Sequence, residues 1–365
     1  MTEPPRAFDR RWVDHAAEVI ETDFNRSADT HLLRVELPAT PEVALYLKDE
    51  STHPSGSLKH RLARSLFLYG LCNGWIGPRT AIIEASSGST AVSEAYFAKM
   101  LGLRFLAVMP KSTSAEKVAQ IAFHGGETHF VANPADIYAE SARLAAELGG
   151  HFMDQFTYAE RATDWRGNNN IAESIFRQMA REAHPIPAWI VVGAGTGGTS
   201  ATLGRYVRYQ RLSTRICLAD PKASVFHRYW DDRSVRTVDG PPSLIEGVGR
   251  GRCEPSFIPD IIDCAISVPD VASIAAARVL SRRIGRSCGG STGTNLWAAA
   301  RLILRMREVD EPGSIVTLLC DSGDRYRSTL FDDDWLRGKG LDIRPMEDAV
   351  EKFLEGTWIG GYTDW

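Results

Sequence analysis

Short apolar segments alternate with longer amphipathic ones along most of this chain, and that alternation limits the folds open to it. In the first half, apolar segments lie at 32–37, 43–48, 80–84, 105–109 and 128–131, and helical periodicity is found at 11–21, 60–73, 91–101, 114–123 and 136–148. Strands separated by helices of ten or more residues pair as a parallel sheet with the helices packed on its faces. The pattern therefore predicts an α/β fold.

The same alternation begins again in the second half. Helical segments are predicted at 167–181, from 200, at 271–285 and after 293, and apolar or strand-like segments lie at 188–192, 215–219, 286–288 and 314–319. Residues 221–260 form a long irregular segment rich in Gly, Pro, Arg and Asp, of a kind that more often covers an active site than links domains. Two series predict two lobes, each an open twisted parallel sheet with helices on both faces.

The composition is that of an ordinary globular protein and excludes several classes. The 365 residues are 44% hydrophobic and 24% charged, and the formal net charge of −4 provides no basic surface for a nucleic acid. The six cysteines show no CxxC pair and no metal-binding His spacing, so neither a metal site nor a disulfide framework is expected. No apolar run reaches the roughly 18 residues of a membrane span, and residues 1–11 lack the core of a signal peptide. We expect a cytoplasmic protein with no membrane partner.

A lysine stands at one of the junctions between loop and helix. Lys59 ends a loop rich in Pro, Ser and Gly at 53–58, and amphipathic periodicity begins directly after it. The N-terminal end of a helix attracts anions and lowers the proton affinity of an amine placed there. Such a lysine can serve as a nucleophile toward an aldehyde. The alternative interpretation is a solvated lysine in a first helical turn.

A second junction is rich in glycine. The apolar strand at 188–192 leads into GAGTGGT at 193–199 and then into a helix, which predicts a nest of backbone N–H groups for a phosphate. The same residues satisfy the dinucleotide pattern GxGxxG, and Asp220 ends the next strand, so an NAD-dependent enzyme is an alternative. Against it, the hydroxyls of Thr196 and Thr199 suit a compact terminal phosphate, and Asp220 is followed by a proline.

Three more turns rich in Gly, Ser or Asp occupy equivalent positions. The segment SSGST at 86–90 offers four hydroxyls at a helix start, more than one N-cap requires, and predicts a second anion site that fits a substrate α-carboxylate. The other two turns are CGGSTG at 288–293 and CDSGDR at 320–325. Because ligands in open α/β sheets lie at the carboxyl ends of strands, these loops are predicted to meet at one cleft.

Together the motifs resemble a known enzyme family. They are Lys59 in a Pro-x-Gly-Ser-x-Lys setting, SSGST at 86–90, Gln155-Phe156, GTGGT at 195–199, Gly247-Val248-Gly249, Gly290-Ser291 and Asp321-Ser322-Gly323. This combination, over about residues 40–330, is similar to the fold type II family of pyridoxal-phosphate (PLP) enzymes, in its cysteine synthase and cystathionine β-synthase branch. The resemblance implies PLP in a cleft between two lobes, with residues 1–61 and 162–365 forming a larger PLP-binding lobe and 62–161 a smaller, mobile substrate lobe.

The resemblance also implies a role for each motif residue. Lys59 would hold the cofactor as a Schiff base and later act as the base at the substrate Cα. The other residues implied to bind the cofactor are Ser89, the phosphate-cradling Gly195, Thr196, Gly197, Gly198 and Thr199, and Ser291 at the pyridine nitrogen. The residues implied to bind substrate are Ser86, Ser87, Gly88, Ser89, Thr90 and Gln155 for the carboxylate, and Gly247 on the amine side.

Two departures from the synthase pattern bear on the reaction. Ser89 stands where the synthases have asparagine, and Thr157-Tyr158-Ala159-Glu160 replaces their Asn-Pro-Ala-Asn. These changes resemble the PLP-dependent L-cysteine desulfhydrases, which implies a lyase that releases hydrogen sulfide, pyruvate and ammonia from L-cysteine. The alternatives are a β-replacement enzyme, such as a cysteine synthase or cystathionine β-synthase that joins O-acetylserine or serine to a thiol, and a binding or regulatory homologue. The resemblance also implies a homodimer, with the aromatic tail at 340–365 packed on the body or on the second subunit.

Overall fold

The computed structural model describes residues 9–357. Its helices are α1 (Arg10–Asn25), α2 (Lys59–Cys72), α3 (Ser89–Met100), α4 (Ala115–Phe123), α5 (Ile137–Glu147), α6 (Gln155–Ala162), α7 (Ile171–Met179), α8 (Gly198–Gln210), α9 (Phe226–Asp231), α10 (Asp270–Ile284), α11 (Gly290–Glu308), α12 (Asp333–Gly338) and α13 (Arg344–Glu355). Its strands are β1 (Leu32–Val35), β2 (Val43–Asp49), β3 (Ile82–Glu84), β4 (Phe105–Pro110), β5 (Glu127–Val131), β6 (His151–Phe152), β7 (Trp189–Gly193), β8 (Arg215–Pro221), β9 (Cys264–Val268) and β10 (Gly313–Leu319). The chain folds as two compact units.

Of the described residues, the smaller unit comprises 9–29 together with Lys59–Thr163. Its parallel sheet has the strand order β5-β4-β3-β6. Successive residues of a strand point to opposite faces. Ile82 accordingly packs with α1, α2 and α3 on one face, while its neighbour Ile83 packs with α5 on the other. Helices therefore cover both faces of this sheet.

The larger unit comprises Thr30–Leu58 together with the described residues 164–357. Its sheet has the order β1-β2-β10-β7-β8-β9, and every neighbouring pair is parallel except β1 with β2. Val191 faces a core formed with α10, α11 and α13, and Ile190 faces a core formed with α7 and α8. A sheet buried on both faces needs apolar residues at consecutive positions, which is why its strands read as continuous apolar runs.

The two parallel-sheet units confirm the predicted α/β fold class. The placement of α1 differs from the sequence-based assignment, which put residues 1–61 in the larger lobe. The apolar face of α1, made of Val13, Ala16 and Ile20, packs in the same core as α2 and α3, so the contacts place this helix in the smaller unit. The antiparallel pairing of β1 is a further difference from a purely parallel sheet.

Several element boundaries also differ from the predicted ones. The structure begins α3, α8 and α11 at Ser89, Gly198 and Gly290, earlier than the sequence pattern indicates. The helix predicted at 167–181 is shorter because Asn170 caps it, its side-chain oxygen accepting hydrogen bonds from the N–H groups of the first turn of α7. The strand-like segment 286–288 forms only an isolated bridge, between Cys288 and Ser322.

Other elements are absent from the predicted pattern. The sequence does not predict β6, β9 or α6, because β6 has only two residues, β9 is a half-buried edge strand and α6 is rich in polar residues. The long segment 221–260 is irregular as predicted, apart from α9. Within residues 9–357, no helix is long and apolar enough to cross a bilayer.

The C-terminal region packs on the larger unit as far as the structure describes it. Val350, Phe353 and Leu354 of α13 are buried in the same core as α10 and α11. Hydrogen bonds also join α13 to α10: Arg282 of α10 donates to Glu347 at 2.9 Å and to Glu351 at 2.6 Å. Residues 358–365, the end of the aromatic tail, lie outside the described residues.

Truncation of a buried side chain of α13 should therefore destabilise the larger unit. Phe353 is 4% exposed, so we expect Phe353→Ala to lower the free energy of unfolding by about 3–5 kcal/mol. Urea unfolding followed by circular dichroism measures this change. Glu355→Ala, at an exposed position of the same helix, is the control and should change the free energy by less than about 0.5 kcal/mol. Equal midpoints for the two variants would contradict the packing described for α13.

Candidate active site

The sheet of the larger unit brings several loops to one edge. β10 lies between β2 and β7, and β7 pairs with β8 on its other side, all in parallel. The last residue of β10, Leu319, is opposite the last residue of β2, Asp49. Parallel strands have their carboxyl ends at the same edge, so the loops that start after residues 49, 193 and 319 leave the sheet side by side. For these three loops of the larger unit, the structure agrees with the convergence that the sequence predicts.

The glycine-rich loop after β7 is built to receive an anion. Gly197 has a left-handed backbone (φ +91°) and directly precedes α8, whose first N–H groups have no acceptor within the helix. The hydroxyl of Thr196 accepts a hydrogen bond from the N–H of Gly198 at 3.2 Å and lies buried beside it. Backbone amides, a helix N-terminus and the half-buried Thr199 hydroxyl fit a phosphate monoester.

Two glycines of this loop are required by close backbone approaches. A Cβ atom at Gly195 would lie 2.3 Å from the carbonyl oxygen of Gly247, and one at Gly197 would lie 2.5 Å from Cα of Phe257. The segment around Gly247 is tied to the loop by a hydrogen bond from Gly249 N–H to the carbonyl oxygen of Ala194, at 2.8 Å. The structure thus brings the predicted substrate residue Gly247 against the predicted phosphate loop.

A third element at this edge is the N-terminus of α11. Ser291 lies in its first turn, is 5% exposed, and has its hydroxyl within hydrogen-bond reach of the Cys320 thiol. The next residue, Thr292, accepts a hydrogen bond from the N–H of Cys320 at 3.0 Å, which fixes the helix start against the end of β10. A neutral hydroxyl can donate a hydrogen bond to an unprotonated pyridine nitrogen, such as the ring nitrogen of PLP.

The loop that leads to Lys59 is attached to the same strand end. Leu58 N–H donates to the carbonyl oxygen of Cys320 at 2.8 Å, and Ser57 forms an isolated bridge with Asp321. Lys59 follows directly, as the first residue of α2, and is half-buried. The junction between loop and helix is therefore where the sequence predicts it, and the backbone before the lysine is fixed.

A second lysine near this loop has a different environment. Lys48 in β2 is fully buried, and its Nζ donates hydrogen bonds to the carbonyl oxygen of Thr30 at 2.8 Å and to Oε1 of Gln178 at 2.7 Å. An amine that donates to two acceptors inside the protein is not offered to an aldehyde. Of these two lysines, Lys59 is the one at the start of a helix.

The segment 86–90 lies in the smaller unit, between β3 and α3. Gly88 is the N-cap of α3 and has no side chain that could cap the helix. Ser86, Ser87 and Ser89 are half-buried. The fold thus presents hydroxyls and helix-start amides together, which is the arrangement predicted for a carboxylate.

Gln155 is joined to the end of this segment. It begins α6 and is 4% exposed, and its Oε1 accepts a hydrogen bond from the Thr90 hydroxyl at 2.7 Å. Asp154 before it caps the helix from a left-handed backbone conformation, with a side-chain oxygen that accepts from the N–H of Thr157. The structure therefore places Ser86–Thr90 and Gln155 side by side in the smaller unit. In the larger unit, Gly247 lies against Gly195, and Ser291 lies beside Cys320 directly after β10.

Asp220 does not have the surroundings of a dinucleotide-binding acid. It is fully buried at the end of β8, and one carboxylate oxygen accepts a hydrogen bond from the N–H of His227 at 2.8 Å. Burial raises its pKa to about 7. Because this carboxylate binds the start of α9, it is not available to a ribose hydroxyl. The NAD hypothesis therefore loses the acidic residue that the dinucleotide pattern requires.

Sequence reasoning quoted Asp321 only as part of a motif and missed two other buried acids, Glu84 and Glu94, near these segments. Asp321 accepts a hydrogen bond from the Tyr326 hydroxyl at 2.6 Å, and burial raises its pKa to about 6. Glu84 and Glu94 flank the segment 86–90 and are both fully buried. The sequence carries only a weak signal for them: Glu84 closes an otherwise apolar strand, and Glu94 lies among small and apolar residues of α3.

The comparisons with known proteins agree with this geometry. The family model described as pyridoxal-phosphate-dependent enzyme matches residues 26–321. The L-cysteine desulfhydrase Cds1 of Mycobacterium tuberculosis is 60% identical over 95% of this chain and 96% of that protein. Cysteine synthase 2 of Schizosaccharomyces pombe is 30% identical, over 96% of this chain and 94% of that protein.

A solved structure has the same architecture. The crystal structure of O-ureido-L-serine synthase matches with a TM-score of 0.73 and 26% identity, over 84% of this chain and 96% of that one. The donor set described above fits the cofactor of the family: an amine at a helix start, a phosphate nest and a neutral hydroxyl. The chain is a member of the pyridoxal-phosphate-dependent enzymes of fold type II, and PLP is its cofactor.

Proposed function

We propose that this chain is an L-cysteine desulfhydrase, a carbon–sulfur lyase that converts L-cysteine and water to hydrogen sulfide, pyruvate and ammonia. The observation that carries the proposal is the 60% identity with a protein of that name over nearly the full length of both chains. The Cα–H and Cβ–S bonds of the substrate break, sulfide leaves with a proton, and water then replaces the amino group as ammonia. The atoms balance without an oxidant or reductant.

The cofactor-binding residues follow from the larger unit and from Lys59. PLP, when bound, supplies an electron sink for the negative charge that develops at the substrate Cα. Gly195–Thr199 would hold its phosphate, and the Ser291 hydroxyl would serve as the partner of its ring nitrogen. Lys59 would bind the cofactor covalently through Nζ, and its freed amine would take the proton from the substrate Cα. A neutral serine would not keep the ring nitrogen protonated, which would favour direct loss of the β-substituent.

The smaller unit supplies the residues for the substrate carboxylate. The amides and hydroxyls of the segment 86–90 bind it at the N-terminus of α3, where the helix dipole favours a negative charge. Gln155 adds an amide N–H from the start of α6, and Ser89 also contacts the cofactor. Gly247, against the phosphate loop, lines the amine side of the substrate.

The second candidate is a β-replacement synthase, because relatives at 28–30% identity carry the name cysteine synthase. The same residues would bind cofactor and carboxylate in both reactions, and a second thiol would attack Cβ before the product left. The lyase is favoured because it is the name of the relative at 60% identity. A binding or regulatory homologue is disfavoured by the presence of Lys59 at the helix start.

Location and assembly complete the proposal. The net charge of −4 and the unpaired, scattered cysteines support a cytoplasmic enzyme with neither a nucleic acid nor a membrane as partner. We further propose a homodimer, as is common in this family. Sedimentation at micromolar concentration measures the assembly state directly.

The reaction is tested by adding L-cysteine alone to the purified holoenzyme and following sulfide and pyruvate together. We expect both products in equal amounts and at a sustained rate, because elimination yields one of each. Release of sulfide without pyruvate, or only after a second thiol is supplied, would establish the replacement reaction instead. No turnover beside a normal cofactor absorbance would point to another substrate.

Removal of the lysine tests its proposed role. Lys59→Ala should lose the visible absorbance of the covalently bound cofactor and lower kcat by roughly 10³-fold or more, since both the covalent link and proton transfer at Cα are lost. Lys111→Ala, at an exposed position of the smaller unit, should retain both properties. An Lys59→Ala variant with wild-type absorbance and turnover would show that another residue holds the cofactor.

The phosphate loop is tested by adding one methyl group. Gly197→Ala should lose most bound PLP, because the new Cβ meets Phe257 at 2.5 Å and the backbone has a φ of +91°. The PLP content of dialysed protein, measured by absorbance after alkaline release, checks this. Gly167→Ala is the matched control, since nothing lies within 4 Å of its added Cβ. Full cofactor content in Gly197→Ala would contradict the assignment of this loop.

A further inference from the structure

Two buried acids lie against each other in the smaller unit. Glu84 is the last residue of β3 and Glu94 lies in the second turn of α3; each is 0% exposed. Among the described residues, no hydrogen-bond donor reaches Oε1 of Glu84 or either carboxylate oxygen of Glu94. The two carboxyl groups are within hydrogen-bond reach of each other. Each is therefore the available partner of the other.

Two carboxylates in contact cannot both be ionised away from water. Burial raises the pKa of Glu84 to about 8, and burial together with Glu84 raises the pKa of Glu94 well above its ordinary range. The other charged group that faces Glu84 is Asp154, which raises the pKa further, while hydrogen bonds from the N–H groups of Gln155 and Ala85 lower it. A proton held between the two carboxyl groups supplies the donor that the surrounding protein does not.

The pair is connected to the segment that we assign to the substrate carboxylate. Oε2 of Glu84 accepts a hydrogen bond from the backbone N–H of Gln155 at 3.3 Å, and the Gln155 side chain also donates to Glu84. The Gln155 Oε1 accepts from the Thr90 hydroxyl. Gln155 thus connects Thr90, through its side-chain oxygen, to Glu84, through its backbone N–H.

We propose that Glu84 and Glu94 share one proton and, as a hydrogen-bonded pair, position Gln155 and the segment 86–90 for the carboxylate of the amino-acid substrate. The inference rests on the proposed function, which supplies that substrate. Glu84 ends the strand before the segment, Glu94 lies in the helix after it, and Gln155 packs on its last residue. Both acids are positioning residues, since they act through Gln155 and through the two ends of the segment.

Two substitutions at Glu94 separate hydrogen bonding from packing. Glu94→Gln keeps the size and provides an amide N–H to Glu84 that cannot dissociate. Glu94→Leu has a side chain of similar size that forms no hydrogen bond, so Glu84 loses the partner that Glu94 provides. Glu116→Gln, at an exposed carboxyl group of the same unit, is the control.

The first measurement needs no substrate. With a raised pKa, the folded pair binds more protons than the unfolded chain between the ordinary carboxyl pKa and about 8, so wild-type stability should fall as pH rises through that window. We expect the urea midpoint of the wild-type holoenzyme to fall more between pH 6 and pH 9 than that of Glu94→Gln, while Glu116→Gln follows the wild type. Equal pH dependence in wild type and Glu94→Gln would overturn the shared proton.

The second measurement concerns the substrate. Glu94→Leu should raise KM for L-cysteine about five- to tenfold with kcat changed less than about threefold. The reason is that misplaced carboxylate-binding groups weaken the binding of substrate and of transition state equally. Glu94→Gln should have a KM near that of wild type. An unchanged KM in Glu94→Leu would overturn the positioning role even if the proton is shared. If the wild type does not turn over L-cysteine, the proposed function has failed, whereas the urea comparison still decides the shared proton.

Discussion

The pairing of β10 between β2 and β7 is the constraint on which the site of the larger unit depends. β10 is buried along its whole length and pairs residue for residue with β2, so a shift by one position would turn the apolar side chains of one face to the other. With the register fixed, Asp49, Leu319 and the end of β7 lie at one edge. The loop before Lys59, the Asp321 turn and the phosphate loop then follow from where their strands end.

Helix N-termini provide the electrostatics of the candidate site. α2, α3, α8 and α11 begin at Lys59, Ser89, Gly198 and Gly290, each within a motif that sequence reasoning singles out. An N-terminus combines unpaired amides with a positive partial charge, which suits a phosphate or a carboxylate. The larger unit uses two such ends and the smaller unit uses two. The proposed anion sites therefore use backbone N–H groups and hydroxyls rather than arginine or lysine side chains.

The sequence predicted the fold class and most elements because the strands are apolar runs and the helices between them are periodic. The starts of α3, α8 and α11 were misplaced for one physical reason. Glycine and serine have low intrinsic helix propensity, so a pattern-based start falls after them, but in the structure tertiary contacts fix these first turns. The edge strand β9 and the short β6 were missed because pairing with a neighbour, and not local pattern, forms them.

The candidate residues were predictable to a similar degree and for a related reason. A motif such as GTGGT shows its purpose locally, since only glycine permits the approaches at Gly195 and Gly197. The contact between Glu84 and Glu94 depends on how α3 packs against β3, and no local pattern specifies that two acids will be buried together. Asp220 is an example of a misleading local pattern. Its spacing fits the dinucleotide motif, but in the structure it is buried and accepts a hydrogen bond from the start of α9.

We propose that the choice between elimination and replacement depends on the smaller unit more than on the larger one. In their proposed roles, the phosphate loop, Gly247 and Ser291 would serve both reactions equally, because both need the cofactor held and Cα activated. The positions that depart from the synthase pattern, Ser89 and residues 157–160, lie at the start of α3 and in α6, beside the residues assigned to the substrate carboxylate. A serine offers one hydroxyl where asparagine offers an amide donor and an acceptor, so position 89 would contact the substrate and an incoming thiol differently. Differences in reaction among these relatives should therefore follow the packing around α3 and α6, which is where the buried acid pair lies.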